Sequence, residues 1–309
     1  MKRGRSFLIL LAVAAGFGAY IWFAELERDL NPPETVAEKL FTVEATAIPE
    51  VVLTNEAGEM STLRKSGDRW TLAEVNGADV DATEAGNITS ALAALESQRI
   101  VDEQPPSLAE YGLEKPRVTV AFKDAVGTTH TLLVGNKTPT GGDLYAKLAS
   151  APRVFLIGAW LDETFNRSRF DLRDKSAVKF SRDAVTSVSI TSAGSTVSLA
   201  QSGGEWRLTA PVAAPADNAA ADALVNAVST ARMQSIVDTP DLAAMGLTRP
   251  DVSVAITAGP TRAVLEIGGP AEGGTLYARD TVRNLVFTVD GSLAGELKKT
   301  ADELRKKDQ

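Results

Sequence analysis

One histidine, His130, and no cysteine bound the chemistry open to this 309-residue chain. Without cysteine there are no disulfides, no thiolate metal sites and no cysteine nucleophile. With a single histidine, a Ser-His-Asp triad would have to be built on His130, and no Gly-x-Ser-x-Gly elbow accompanies it. A lone histidine at the start of an alternating strand reads as a hairpin or surface residue. Asp79-Val80-Asp81 carries two carboxylates that an extended backbone would turn to one side, as a metal site requires. The competing reading is a turn followed by a helix cap. Thr138–Asp143 and Gly268–Gly274 are glycine-rich, but each leads into a strand rather than a helix, so they read as hairpin loops and not phosphate cradles.

The aromatic and basic residues suggest contacts rather than catalysis. Trp70 and Trp206 occupy equivalent strand positions and read as core. Trp160 has no aromatic counterpart, because Ser292 falls at its place, and it is the better candidate for an exposed contact. Lys298, Lys299, Arg305, Lys306 and Lys307 crowd the C-terminal segment and read as a solvated helix end, with anionic headgroups as the alternative ligand. No cofactor and no metal are expected. The formal charge is −8, and three of the 32 basic residues precede the first acidic one, so the body is more acidic still. Such a body repels phosphate backbones, which argues against nucleic acid as a partner.

The elements that position these residues come in two copies. Trp70 and Trp206 lie 136 residues apart, as do Ile100-Val101-Asp102 and Ile236-Val237-Asp238. Tyr111-Gly112-Leu113-x-x-Pro116 matches Met245-Gly246-Leu247-x-x-Pro250 at a spacing of 134, and Leu144-Tyr145-Ala146 matches Leu276-Tyr277-Ala278 at 132. Ordered matches with slowly drifting spacing indicate a duplication. Each copy reads as short alternating strands, a helix capped by Asp81 or Asp217, a Gly-Leu-x-x-Pro turn, further strands and a closing helical segment (Trp160–Phe170 and Ser292–Lys307). The expected fold class is α+β: two tandem modules, each a mainly antiparallel sheet with one packed helix. The candidate interaction surface is Trp160 with Tyr111, Gly112, Leu113 and Pro116, and with Gly246, Leu247 and Pro250.

Ahead of the modules, Phe7 to Phe23 is an uncharged apolar run preceded by Lys2, Arg3 and Arg5. This predicts a transmembrane helix with a cytoplasmic N-terminus, and a cleaved signal peptide is the rival reading. The expected domains are an anchor over residues 1–24, a stalk over 25–40, a first module over 41–179 and a second over 180–309. The expected location is a bacterial inner membrane, with the body in the periplasm and the membrane itself as a partner through Phe7 to Phe23.

The basic-then-apolar N-terminus, the Trp-x-Leu strand, Tyr111-Gly112-Leu113-x-x-Pro116, the Gly135 turn, Tyr145-Ala146-Lys147 and Leu172-Arg173-Asp174-Lys175 together resemble domain-of-unknown-function family 4340, a family of membrane-anchored bacterial envelope proteins. The second copy departs at Met245, and the first departs at Val75, where the second has Pro211. The resemblance implies an accessory role beside an ABC-type export system and brings no catalytic residues. The expected function is therefore a non-enzymatic binding or scaffolding protein of the envelope. The alternatives are a periplasmic lipid- or glycan-binding protein with a cleft between the repeats, and a carboxylate-dependent hydrolase.

Overall fold

The computed structural model describes residues 16, 20, 37–75 and 78–307. The first copy contains β1 (Glu38–Lys39), β2 (Glu50–Thr54), β3 (Met60–Ser66), β4 (Arg69–Leu72) and β5 (Ala78–Asp79), then helix α1 (Ala82–Ala93). It continues through β6 (Glu96–Ser97), β7 (Arg99–Asp102), β8 (Val118–Lys123), β9 (Thr129–Lys137), β10 (Asp143–Leu148) and β11 (Val154–Gly158) to the short helices α2 (Leu161–Phe165) and α3 (Arg169–Leu172). The second copy contains β12 (Val185–Ser192), β13 (Ser195–Ser202), β14 (Glu205–Ala210) and β15 (Ala214–Pro215), then helix α4 (Asn218–Thr230). After it come β16 (Ser235–Ile236), β17 (Val252–Ala258), β18 (Thr261–Pro270), β19 (Thr275–Asp280), β20 (Leu285–Asp290), α5 (Ser292–Leu297) and α6 (Ala301–Leu304).

Among the described residues these strands form two nine-stranded sheets of the same connectivity. The orders are β5-β4-β3-β2-β8-β9-β10-β11-β7 and β15-β14-β13-β12-β17-β18-β19-β20-β16. In each, four strands meander to one edge. The long helix then carries the chain across to the far edge, and four more strands fill the gap. The central pairs, β2 with β8 and β12 with β17, are antiparallel. Strand β2 alternates half-buried and buried residues, and β8 does the same, because only one pleat face meets the core. Strand β11 is buried at all five positions, which is why Val154-Phe155-Leu156-Ile157 carries no polar residue.

By contacts the chain separates into two compact units. One holds the described residues up to Met60 with Gly86–Asn166, and the other holds Ser61–Ala85 with the described residues from Arg167 onward. The first unit is cored by Ile48, Leu53, Ile88, Leu92, Phe122 and Phe155. In the second, α4 buries Leu224, Val225 and Val228 in a core shared with Trp206, Leu208 and Phe287. Each such aliphatic side chain contributes about 1.5–3 kcal/mol on burial. Both long helices start as expected. Asp81 accepts a hydrogen bond from the Thr83 N–H (2.8 Å) and Asp217 from that of Ala220 (3.1 Å).

Two expectations are corrected here. The fold class is not α+β but mostly β, with two large antiparallel sheets and one long helix in each copy. The expected transmembrane helix is not supported either: among the described residues no helix is long and apolar enough to cross a membrane. Helices α1 and α4 have 12 and 13 residues, against the ~20 that a bilayer core of ~30 Å demands. Apart from Gly16 and Tyr20, the run Phe7 to Phe23 lies outside the described residues. The closing segments also differ from single helices. Each is split into two short ones, with Ser168-x-x-Asp171 and Thr300-x-x-Glu303 capping boxes starting the second of each pair.

Candidate interaction site

The Gly-Leu-x-x-Pro turn begins five residues before its glycine. Ser107 Oγ accepts from the Ala109 N–H (3.2 Å), and in the second copy Asp241 Oδ1 accepts from Ala243 (3.0 Å) and Ala244 (3.1 Å). The helical turn closes when Gly112 donates to Ala109 O and Leu113 to Leu108 O, matched by Gly246 to Ala243 O and Leu247 to Leu242 O. Gly112 (φ 68°) and Gly246 (φ 70°) then turn left-handed, as a glycine at a helix C-terminus does without strain. The following leucine, Leu113 or Leu247, is buried.

The turn docks on a bulge in the neighbouring sheet. The pairing of β9 with β10, and of β18 with β19, slips at this point. The slip frees the Asn136 N–H to donate to Tyr111 O (2.9 Å) and the Gly269 N–H to donate to Met245 O (2.8 Å). The approach is too close for a side chain. A Cβ on Gly135 would lie 2.1 Å from Tyr111 O, and one on Gly268 would lie 2.3 Å from Met245 O. Of the turn residues named from sequence, Leu113 and Leu247 are therefore inside, while Tyr111, Gly112, Pro116, Gly246 and Pro250 are half-buried. Tyr111 sets its ring edge-on to Tyr145, 5.1 Å between centroids. The turn presents Glu114-Lys115 and Thr248-Arg249 to solvent.

Trp160 is 64% exposed. It stands over Gly158, where a Cβ would lie 2.6 Å from the indole Nε1. It immediately precedes α2, whose Asp162 turns toward two cations. Arg117 Nη1 lies 3.4 Å and Lys137 Nζ 3.3 Å from its carboxylate oxygens. Arg117 follows Pro116 directly, so the docked turn fixes its backbone. Its guanidinium grips Glu56 with two bonds, Nε to Oε1 (3.1 Å) and Nη2 to Oε2 (2.7 Å). Asn166 completes the group. Its Oδ1 accepts from the Glu56 N–H (2.9 Å) and its Nδ2 donates to Glu56 Oε2 (3.4 Å). The hydrogen bond from Arg117 holds the Glu56 carboxyl below its ordinary range, and the same bond raises the Arg117 guanidinium.

The second copy keeps the frame and changes the dressing. Asp251 stands at the place of Arg117, Lys298 at that of Asn166, Ala294 at that of Asp162 and Ser292 at that of Trp160. Asp251 and Lys298 approach to 3.9 Å. The indole and the four-charge cluster of Glu56, Arg117, Lys137 and Asp162 belong to the first copy alone. Sequence reasoning missed this cluster, because Glu56 and Arg117 are 61 residues apart. The available signal was the reversal of charge type between the two copies.

Other candidates are placed elsewhere. His130 stacks on Phe122 (5.0 Å), meets Phe41 edge-on (5.4 Å) and sets Nε2 3.1 Å from Asp124 Oδ2. That contact keeps the Asp124 carboxyl below its ordinary range. A cavity of about 540 Å³ beside it is lined by Phe41, Thr129, His130, Thr131 and Leu148 among others. Asp79 is taken up by Arg69 and Lys179. Lys179 also holds Asp174 (2.8 Å). Trp70 and Trp206 are buried, and Trp206 Nε1 donates to Asp222 (2.9 Å). Among the described residues no group of three or more His, Cys, Asp or Glu could hold a metal ion. The C-terminal cations are not on one helix: the Lys306 N–H donates to Pro215 O (3.1 Å), so this stretch runs extended beside β15.

The pattern of the family described as Domain of unknown function (DUF4340) matches residues 70–205 and again residues 206–309. The chain belongs to this family. Each DUF4340 match opens on the buried tryptophan of a Trp-x-Leu strand, Trp70 or Trp206. No curated protein and no solved structure matches the chain.

Proposed function

We propose that this DUF4340 protein is a non-enzymatic binding or scaffolding protein of the bacterial cell envelope. Its contact surface is the Trp160 end of the first sheet, and its partner is an ABC-type export system. The observation that carries the reading is the asymmetry of the duplication. Both copies retain the same sheet and the same docked turn, and only the first adds a largely exposed indole beside a fixed cluster of charges. Tryptophan and arginine are the side chains that most often dominate protein interfaces, and a large exposed aromatic on a rigid element is typical of such sites. The paired charges hold α2 and the turn in place, so little freedom is lost when a partner covers them. The docked turns serve as struts: they join the loop after β7 or β16 to the sheet.

Affinity purification of the full-length chain from native membranes tests this. The wild type is expected to co-purify with transporter subunits, and Trp160→Ala is expected to lose them while keeping the wild-type circular dichroism and melting temperature. Undiminished recovery with Trp160→Ala would overturn the assignment of the surface. A reporter fused after residue 307 should be active only outside the cytoplasm, and activity on the cytoplasmic side would overturn the location.

A further inference from the structure

Helix α2 (Leu161–Phe165) shares its buried face with its counterpart in the second copy and differs on its exposed one. Leu161 and Phe165 are buried, as Leu293 and Leu297 are in α5. On the exposed side Trp160 and Glu163 stand where the second copy has Ser292 and Gly295. The pair, and not the indole alone, therefore sets the first module apart. Trp160 has helical backbone angles (φ −62°, ψ −22°), which puts Glu163 one turn on along the same face, with Cβ atoms about 5–6 Å apart. Helical side chains lean toward the N-terminus, so Glu163 leans over the turn that begins at Trp160. Both residues are exposed, and the Glu163 side chain has no hydrogen-bond or ion-pair partner among the described residues.

The indole is positioned in advance. A Cβ on Gly158 would lie 2.6 Å from its Nε1 and 2.8 Å from its Cδ1, so that edge rests on the backbone while 64% of the residue stays in solvent. The neighbouring cluster cancels in charge, with Arg117 and Lys137 against Glu56 and Asp162. Glu163 adds a negative charge that this cluster does not offset, on a chain of net charge −8. A cation over an indole face is attracted by the ring's quadrupole, and a carboxylate beside the ring adds a charge-assisted hydrogen bond. A guanidinium satisfies both at once, because it is planar, stacks on the ring and presents a fork of N–H donors at its edge. An ammonium is more compact and more strongly hydrated, and gains less from the ring. We propose that Trp160 and Glu163 form a receptor for an arginine side chain, contributed by the partner that covers this surface. The source of the arginine rests on the function proposed above, whereas the receptor rests on α2 alone.

Fluorine NMR of the full-length, detergent-solubilised chain labelled with fluorotryptophan tests this. The chain has four tryptophans, and the Trp160 resonance is the one that Trp160→Phe removes. The probes are N-acetyl-arginine methylamide, its lysine counterpart, and its citrulline counterpart, which keeps the shape of arginine without the charge. The arginine probe is expected to shift Trp160 saturably, with a dissociation constant on the order of 10–100 mM. The buried Trp70 and Trp206 should not move. The lysine probe should bind about threefold more weakly, and the citrulline probe should give no saturable shift. Glu163→Gln should weaken the arginine probe about fivefold and leave circular dichroism unchanged, since the side chain is exposed. An arginine probe that binds no more tightly than the lysine or citrulline probe, or that is indifferent to Glu163→Gln, would overturn the receptor. Either result, together with loss of transporter subunits from Trp160→Ala, leaves the contact surface standing with a different occupant. Arginine preference together with undiminished recovery from Trp160→Ala keeps the receptor and removes the transporter as the source of its arginine.

Discussion

Replacing Gly135 by alanine should be among the most damaging single-methyl changes in the first module. The added Cβ would lie 2.1 Å from the backbone oxygen of Tyr111 and 3.0 Å from the Leu113 side chain. An ordinary carbon–oxygen contact is more than 1 Å longer than the first of these, and a backbone oxygen has no rotamer to escape into. The turn must lift from β9. Lifting breaks the Asn136 N–H bond to Tyr111 O (2.9 Å), at about 1–1.5 kcal/mol for a hydrogen bond in this setting. It also draws Leu113 part-way out of a site where it is 2% exposed, a fraction of the ~2–5 kcal/mol that full loss of a leucine costs. The sum is about 2–4 kcal/mol. Urea unfolding of the full-length chain followed by tryptophan fluorescence measures it. Gly86→Ala is the matched control: it adds the same methyl inside α1 with nothing within 4 Å, and should stabilise by about 0.5–1 kcal/mol. Faster hydrogen exchange at the Leu113 and Asn136 amides should accompany the Gly135→Ala loss. If Gly135→Ala unfolds within about 0.5 kcal/mol of the wild type, the docked turn is not the strut described here.

The two copies make a paired prediction: Leu113→Ala and Leu247→Ala should each cost about 2–4 kcal/mol by the same denaturation assay, since both leucines follow a left-handed glycine into a buried site. Acid should weaken the second unit around Asp174. Burial opposes ionisation of Asp174, but hydrogen bonds from Lys179 and Ser176 outweigh it and bring the carboxyl down to about 2. Its folded pKa thus lies below its unfolded value. The stabilisation is complete above about pH 4 and is lost as pH falls toward 2, by on the order of 1 kcal/mol after solvent screening. Asp174→Asn should flatten that part of the stability–pH curve, and an unchanged curve would remove the claim. Trp160→Ala should shift stability by less than about 0.5 kcal/mol, because the indole is mostly in solvent.

Much of the frame was legible because duplication writes the same signals twice. Ile100-Val101-Asp102 and Ile236-Val237-Asp238 lie at the far edges of their sheets, and the two strand orders coincide. The further strands from β8 to β11 and from β17 to β20 fall on apolar or alternating runs of four or five residues in the sequence, but β9 (nine residues) and β18 (ten) extend well past theirs. Strands β1, β5, β6, β15 and β16 escaped notice because two residues carry no periodicity. Counting such pieces is what separates a mostly β protein from an α+β one. The split closing segments were readable in principle: Thr300-x-x-Glu303 announces a new helix. The docking glycine Gly135 was visible only as a turn, because its constraint comes from Tyr111, 24 positions earlier. The charged cluster joins Glu56, Arg117 and Asp162 across separations of 61 and 45 residues, which no local pattern encodes. Trp160 was the exception, singled out by the serine that faces it in the repeat.

The most direct test of that surface is photocrosslinking in living cells from a benzoyl-phenylalanine placed at position 160 and, separately, at position 292. The two sites occupy the same place in the two modules, so each is the other's control. The account predicts adducts with ABC-type transporter subunits from position 160 and none from position 292. Equal capture from both positions, or capture of transporter subunits from neither, would contradict it.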